Sequence, residues 1–140
     1  MSGHINVPVD AIPALKLDIK KVIARRCAME LVPNAVINLG IGIPEMVAAV
    51  ANEEGFGDQL TMTTESGIIG GIPCNGGAFG AGQNAFCHLD MRTMFDFYDG
   101  RCLDLAVLGL AECNSNGDIN VSRFGQEFPE RELRDRKSVV

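Results

Sequence analysis

The chain has 140 residues, 46% hydrophobic and 21% charged, with a formal net charge of −6 at pH 7. That length carries one domain with a sizeable core, and that balance describes a globular chain rather than a disordered one. The acidic excess argues against nucleic acid or an anionic membrane as partner, because both require a basic surface; small anionic ligands stay open, since backbone N–H groups hold them without net positive charge.

No apolar run approaches the roughly 20 residues of a membrane span, and the N-terminus lacks a basic stretch followed by an apolar one, so no signal peptide is expected. Five cysteines at scattered spacing, Cys27, Cys74, Cys87, Cys102 and Cys113, do not form a disulfide framework. A reducing cytoplasm is the expected location. No C-x-x-C pair exists and the histidines are only His4 and His88, so small packed cysteines are favoured over zinc or thiol chemistry.

Residues 1–15, with Pro8 and Pro13 and no clear period, read as an extended connector. Asp18 is placed to cap a helix in which Ile19, Val22, Ile23, Cys27 and Leu31 recur at helical spacing, and Pro33-Asn34 ends it. "AVINLGIGIP" has the composition of a buried strand running into glycines. Pro44 suits a first helical turn, and "EMVAAVANEEG" continues the helix to Gly55. "QLTMTTE" predicts a second strand. The alternation predicts an α/β layer with a mainly parallel sheet.

From Ser66 to Gly82 glycine is too dense for a helix or a packed strand. Ile68, Ile69, Ile72 and Phe79 argue for an ordered loop lining a cleft rather than a floppy linker. "LDLAVLGLAEC" predicts a strongly buried strand, and Asn116-Gly117 a hairpin turn into the return strand "INVSRFG". Residues 126–140 read as a charged tail, where the strand pattern stops.

Two features could carry chemistry. "GIGIP" puts glycines between a strand and a helix start, which lets a ligand approach backbone N–H groups, although a short turn needs glycine anyway and the spacing matches neither the dinucleotide nor the P-loop fingerprint. Glu65 falls near the C-terminal end of a strand, the edge where open α/β sheets bind ligands. A carboxylate there can serve as base, metal ligand or nucleophile, or simply as a solvated loop residue. Asp96, Asp99 and Asp104 read as turn residues.

Four separated motifs then act together. "NLGIGIPEMVAAVANEEG", "TTESGIIGGIP", "FDFYDGRCLDLAVLGLAE" and "GDINVSRFG", in this order, resemble family I coenzyme A transferases. The nearest subgroup is the second, β-like half of the single-chain short-chain acyl (acetate/propionate) CoA-transferases. The resemblance runs over residues 16–125. It implies an open, mainly parallel sheet with flanking helices, of the isomerase-like α/β type. It also implies a glutamate nucleophile, and Glu65 falls on it in Glu-Ser-Gly form. By the same resemblance Gly40 and Gly42 belong to the glycine loop beside the site, Ser66 and Gly67 to the nucleophile's own motif, and Asn120 to the asparagine near the acyl oxygen. Asn120 reads equally as a polar residue of a hairpin strand.

The implied activity is transfer of CoA between a short-chain acyl-CoA and a carboxylate acceptor through a glutamyl-CoA thioester. The thioester is a substrate, and no permanently bound cofactor or metal is implied. The alternative is a non-catalytic assembly or ligand-binding module; a sugar-phosphate isomerase or ligand sensor on a related fold is disfavoured, since no lysine or histidine suited to proton transfer lies near the glycine loops. Relative to the family, the first half is absent and the β-like half stops early, near Gly125. From this a homo-oligomer is expected, a two-fold dimer that covers the exposed sheet face, or alternatively a separate α-like half. Leu105, Val107, Leu108 and Ile119 are the apolar residues expected to need such cover.

Overall fold

The structure is a computed structural model that describes residues 14–74 and 76–121 and the backbone of 138–139. Most of the connector and nearly all of the charged tail lie outside the described residues. Helix α1 (Ile19–Ala28) starts where expected: Asp18 is its N-cap, and Oδ1 accepts from the Lys21 N–H at 2.9 Å. It ends three residues earlier than the apolar period suggests, in a tightened turn where the Glu30 and Leu31 N–H groups return to Cys27 and Ala28. Its buried face is made by Ala24 and Ala28, while Ile19 and Val22 are exposed. Two small side chains at i and i+4 let α1 come close to its neighbour, and larger ones there would hold it off.

That neighbour follows strand β1 (Val36–Leu39) and is helix α2 (Ile43–Glu53), whose buried residues include Val47, Ala48, Val50 and Ala51. The Lys21–Glu53 ion pair joins the two helices. After a single helical turn comes β2 (Thr61–Thr63). The glycine-rich stretch is ordered, as the apolar residues within it predict. It folds into β3 (Ile68–Ile69), β4 (Ile72–Pro73), a tight turn at Gly76–Ala78 and β5 (Gly82–Gln83). Then come β6 (Cys87–His88), helix α3 (Met91–Phe97), a wider turn Tyr98–Cys102, and β7 (Leu105–Val107). The long buried strand expected after it is three short ones, β7, β8 (Gly109–Leu110) and β9 (Glu112–Cys113). The last two elements are β10 (Ile119–Asn120) and β11 (Ser138–Val139).

The main sheet has five strands in the order β6-β3-β2-β1-β7. Its centre is parallel: β1 pairs with β2 on one side and β7 on the other, Asn38 lying opposite Thr63 and Ala106. The edge is antiparallel, with β3 against both β2 and β6. The fold is thus an α/β sheet with a parallel centre and flanking helices. Ile37, Leu39, Met62 and Val107 are almost fully buried and pack with the inner faces of α1 and α2. The hairpin at Asn116-Gly117 forms as read, β10 pairing antiparallel with β9.

Candidate active site

Three parallel strands, β1, β2 and β7, end on the same side of the sheet, and the chain leaves each in a loop. Gly40 and Ile41 follow β1, Thr64 and Glu65 follow β2, and Leu108 follows β7. Together with Ala106 of β7 and with Gly109, Leu110, Ile119 and Val121 from the segments beyond, Gly40, Ile41, Glu65 and Leu108 line a cleft of about 470 Å³. It sits off the carboxyl ends of the strands, where parallel sheets open toward ligands. The lining is apolar except for one charged side chain, Glu65.

Glu65 is exposed, and its supports are not. Thr63 and Thr64 have no solvent-accessible surface. The Thr63 hydroxyl donates to the Ile37 carbonyl across the sheet at 2.9 Å and meets the Tyr98 hydroxyl at 2.8 Å. The Tyr98 hydroxyl also donates to Asn38 Oδ1 at 3.2 Å. Burial pushes the Tyr98 phenol above its ordinary 10.0; the neighbouring Thr63 hydroxyl opposes the rise, and the negative charge of Glu65 adds to it. Tyr98, Thr63 and Asn38 thus form a polar platform under Glu65. None of the three stands out in the sequence, because their common location depends on the register of β1 with β2 and on α3 returning over the sheet.

The turn that carries Glu65 is closed by the Gly67 N–H, which donates to the Thr64 carbonyl at 2.9 Å. Gly67 has φ 109°, and a Cβ there would lie 1.9 Å from the Leu89 carbonyl oxygen. Only glycine fits: the dihedral is unfavourable for any side chain and the space is filled by backbone. The Ser66 hydroxyl meets the Thr64 hydroxyl at 2.8 Å and donates to the Gly80 carbonyl at 3.2 Å. Ser66 therefore ties the Glu65 turn to the glycine-rich segment.

Of the residues singled out in the sequence, the structure brings Glu65 and Gly40 together on the cleft wall. The Gly40 N–H donates to the Val107 carbonyl at 3.0 Å, so this amide belongs to the sheet and is not presented to a ligand. Gly42 is the N-cap of α2, at φ 93° and ψ −125°. Nothing lies within 4 Å of a Cβ built on it, so backbone conformation, not space, demands glycine there. Gly42, Ser66, Gly67 and Asn120 are not on the lining. Asn120 donates from Nδ2 to Glu112 Oε2 at 2.7 Å, while its neighbours Ile119 and Val121 face the cleft, as strand alternation requires. Among the described residues, no group of three His, Cys, Asp or Glu side chains is placed to hold a metal ion, and the free cysteines are dispersed.

Comparison with known proteins bears on this geometry. The chain is 49% identical over 123 residues, 88% of its own length and 24% of the other's, to a caffeate CoA-transferase of Acetobacterium woodii. It is 32% identical over 112 residues, 71% of its own length and 52% of the other's, to one subunit of a succinyl-CoA:3-ketoacid coenzyme A transferase of Helicobacter pylori. A solved structure of the Escherichia coli O157:H7 acyl-CoA transferase YdiF, a thioester complex with CoA, matches with a TM-score of 0.67 at 36% identity, over 84% of this chain and 22% of that one. The chain spans about a quarter of the length of the first curated relatives it matches. No protein-family model matches it.

Proposed function

We propose that this chain, which is homologous to the CoA-transferases over most of its length, carries the nucleophile of such an enzyme, and that the nucleophile is Glu65. The observation that carries the reading is the placement of one carboxylate in an otherwise apolar cleft, at the carboxyl ends of three parallel strands. In the reaction a Glu65 oxygen attacks the thioester carbonyl of an acyl-CoA. The carbon–sulfur bond breaks, giving an acyl-glutamyl anhydride and a CoA thiolate. The thiolate then attacks the Glu65 carbonyl, forming a glutamyl-CoA thioester and releasing the first carboxylate. An acceptor carboxylate reverses the two steps, so that CoA leaves on the acceptor and Glu65 is regenerated. A carboxylate suits this because it both attacks and leaves. The buried Thr63 and Thr64 hold its backbone in place while the head stays accessible.

The substrates of this reading are a short-chain acyl-CoA and a carboxylate of the acetate or propionate class, with CoA as substrate rather than resident cofactor. Ile41, Leu108, Ile119 and Val121, all exposed around the cleft, form an apolar rim that we read as the surface a second polypeptide covers, a copy of this chain in a two-fold dimer or a separate α-like half. Of the four apolar residues expected to need cover, Val107 is buried within the chain, whereas Leu108 and Ile119 are 54% and 61% exposed. Sedimentation of the chain across a concentration series tests the dimer: a monomer at every concentration overturns it. Unpaired, exposed Cys87, Cys102 and Cys113 favour a reducing, cytoplasmic setting.

The decisive experiment is incubation with acetyl-CoA or propionyl-CoA followed by borohydride and peptide mass spectrometry. The reading predicts reduction of Glu65 to the alcohol, dependent on the acyl-CoA. A folded chain with Glu65 unmodified, alone and with a complementing CoA-transferase subunit, would support instead a non-catalytic module that binds ligand or partner.

A further inference from the structure

Glu45 is the second carboxylate that requires a physical account. It is the third residue of α2 and only 6% exposed. Its Oε1 accepts from the Gly76 N–H at 2.9 Å, and the Gly42 N–H also faces the carboxyl. Its Oε2 is buried with no hydrogen-bond partner among the described residues. An apolar side chain would fill this position without stranding a polar atom, so stability alone does not select glutamate. The usual first-turn arrangement, in which a glutamate returns to an N-cap serine or threonine, is only half present, because the N-cap is Gly42 and has no side chain to reciprocate.

The two backbone groups around Glu45 belong to two different loops. Gly42 ends the segment whose Gly40 and Ile41 line the cleft. Gly76 opens the turn that leads to Gly80, whose carbonyl accepts from Ser66, the residue after Glu65. We propose that Glu45 is a positioning residue that clamps these two loops to each other and so fixes, through Gly80 and Ser66, the turn that presents Glu65. The role of Glu65 as the reacting group is taken from the functional reading above; the mechanical coupling stands apart from it. Burial pushes the Glu45 carboxyl above the usual glutamate range, against the opposing bonds from Gly76 and Gly42. Glutamine is the closest replacement, since its Oε1 keeps the acceptor that the Gly76 N–H uses.

The test compares the full chain with Glu45→Gln, Glu45→Ala and Ser66→Ala, using amide hydrogen exchange read by peptide mass spectrometry alongside thermal melting. Glu45→Ala is expected to speed exchange about tenfold over residues 76–82, and also at Ser66–Gly67 on the far side of the loop, beyond any change in β1 and β2. Glu45→Gln is expected to restore protection to within about twofold, since it keeps the acceptor for Gly76. Ser66→Ala is expected to loosen 76–82 while leaving 40–43 unchanged. Normal protection of 76–82 in Glu45→Ala overturns the proposal, as does a Glu45→Gln chain that melts normally yet exchanges like the alanine variant. If Glu45→Ala does not fold, the glutamine and Ser66 variants decide alone. None of these readouts needs turnover, so an unreactive Glu65 would sink the functional reading and leave the clamp standing.

Discussion

Removing the Tyr98 hydroxyl tests the platform beneath Glu65. In Tyr98→Phe the ring still packs, but Asn38 Oδ1, on a residue 9% exposed, loses its donor. Thr63 loses one of two partners and keeps the Ile37 carbonyl, so Asn38 bears most of the loss. A buried acceptor left unpaired costs about 1–3 kcal/mol, more than the made bond contributes. With a urea dependence of roughly 1–3 kcal/mol per molar, the unfolding midpoint should fall by on the order of 1 M with an unchanged slope. A second arm removes the other partner: Asn38→Ala alone, and with Tyr98→Phe. Because the two groups bond each other, the double variant should lose less than the sum of the single variants, with a coupling of at least ~0.5 kcal/mol. Additive losses, or a phenylalanine variant that unfolds at the wild-type midpoint, would refute the network as drawn.

Other outcomes follow from the same geometry. Glu65→Ala should abolish glutamyl-thioester trapping and lower any transfer by several orders of magnitude; since Glu65 is exposed, the unfolding free energy should change by no more than ~0.5 kcal/mol, and a variant with wild-type turnover would end the assignment. Tyr98 is the only tyrosine and the chain has no tryptophan, so ultraviolet titration reads it directly. Glu65→Gln removes a negative charge that disfavours the phenolate, so the midpoint should move down toward 10.0, and no movement would mean the two groups do not sense each other. Gly42→Ala should cost about 1–3 kcal/mol through its backbone conformation alone, with CoA affinity by calorimetry falling as Ile41 shifts; an unchanged urea midpoint would contradict the φ of 93°. For Glu45, whose carboxyl is held above 4.5, the folded chain keeps a proton that the unfolded chain has released. Its contribution is therefore full below 4.5 and declines as pH rises through the folded value. Wild type should lose stability relative to Glu45→Gln as pH is raised from about 4 to about 8, and a constant difference would refute the shift.

What the sequence disclosed was whatever local chemistry decides. The Asp18 cap, the glycine stop after α2 and the Asn116-Gly117 hairpin each depend on a few adjacent residues, and each forms. Glu65 was singled out by the motif resemblance, because its position alone also fits a solvated loop residue; the structure places it on the cleft wall. Helix α3 was not read, although Asp90 caps it through the Thr93 N–H at 3.0 Å. Only Met94 on it is buried, so no apolar period marks it. The two-residue strands of the glycine segment exist only through pairing with distant partners, as Ile69 with Cys87 and Ile72 with Gln83. Tyr98 and Asn38, sixty residues apart, share a hydrogen bond that no local pattern encodes.

The two glutamates have opposite surroundings, and each set of surroundings suits the role proposed for it. Glu65 stands on a rigid base, two threonines without solvent exposure, and among the described residues its head has neither a hydrogen bond nor an ion pair. A nucleophile needs this arrangement. Its backbone must be fixed so that the attacking oxygen arrives at one geometry, while strong partners on the carboxylate would have to be broken at every turnover. Glu45 has the opposite arrangement, with its head buried and bonded to the Gly76 amide. It would make a poor nucleophile, since no substrate carbonyl can reach it without dismantling the Gly76 turn. It suits a clamp, because a carboxyl that cannot be solvated stays where its donors are. The glycine segments between the two glutamates have few side chains of their own to anchor them, so their shape must be set by hydrogen bonds at the ends. Glu45 and Ser66 supply one at each end of the Gly76–Gly80 turn. The consequence is asymmetric: losing Glu65 should remove chemistry and leave the fold, whereas losing Glu45 should leave the nucleophile intact but blur the geometry on which it depends.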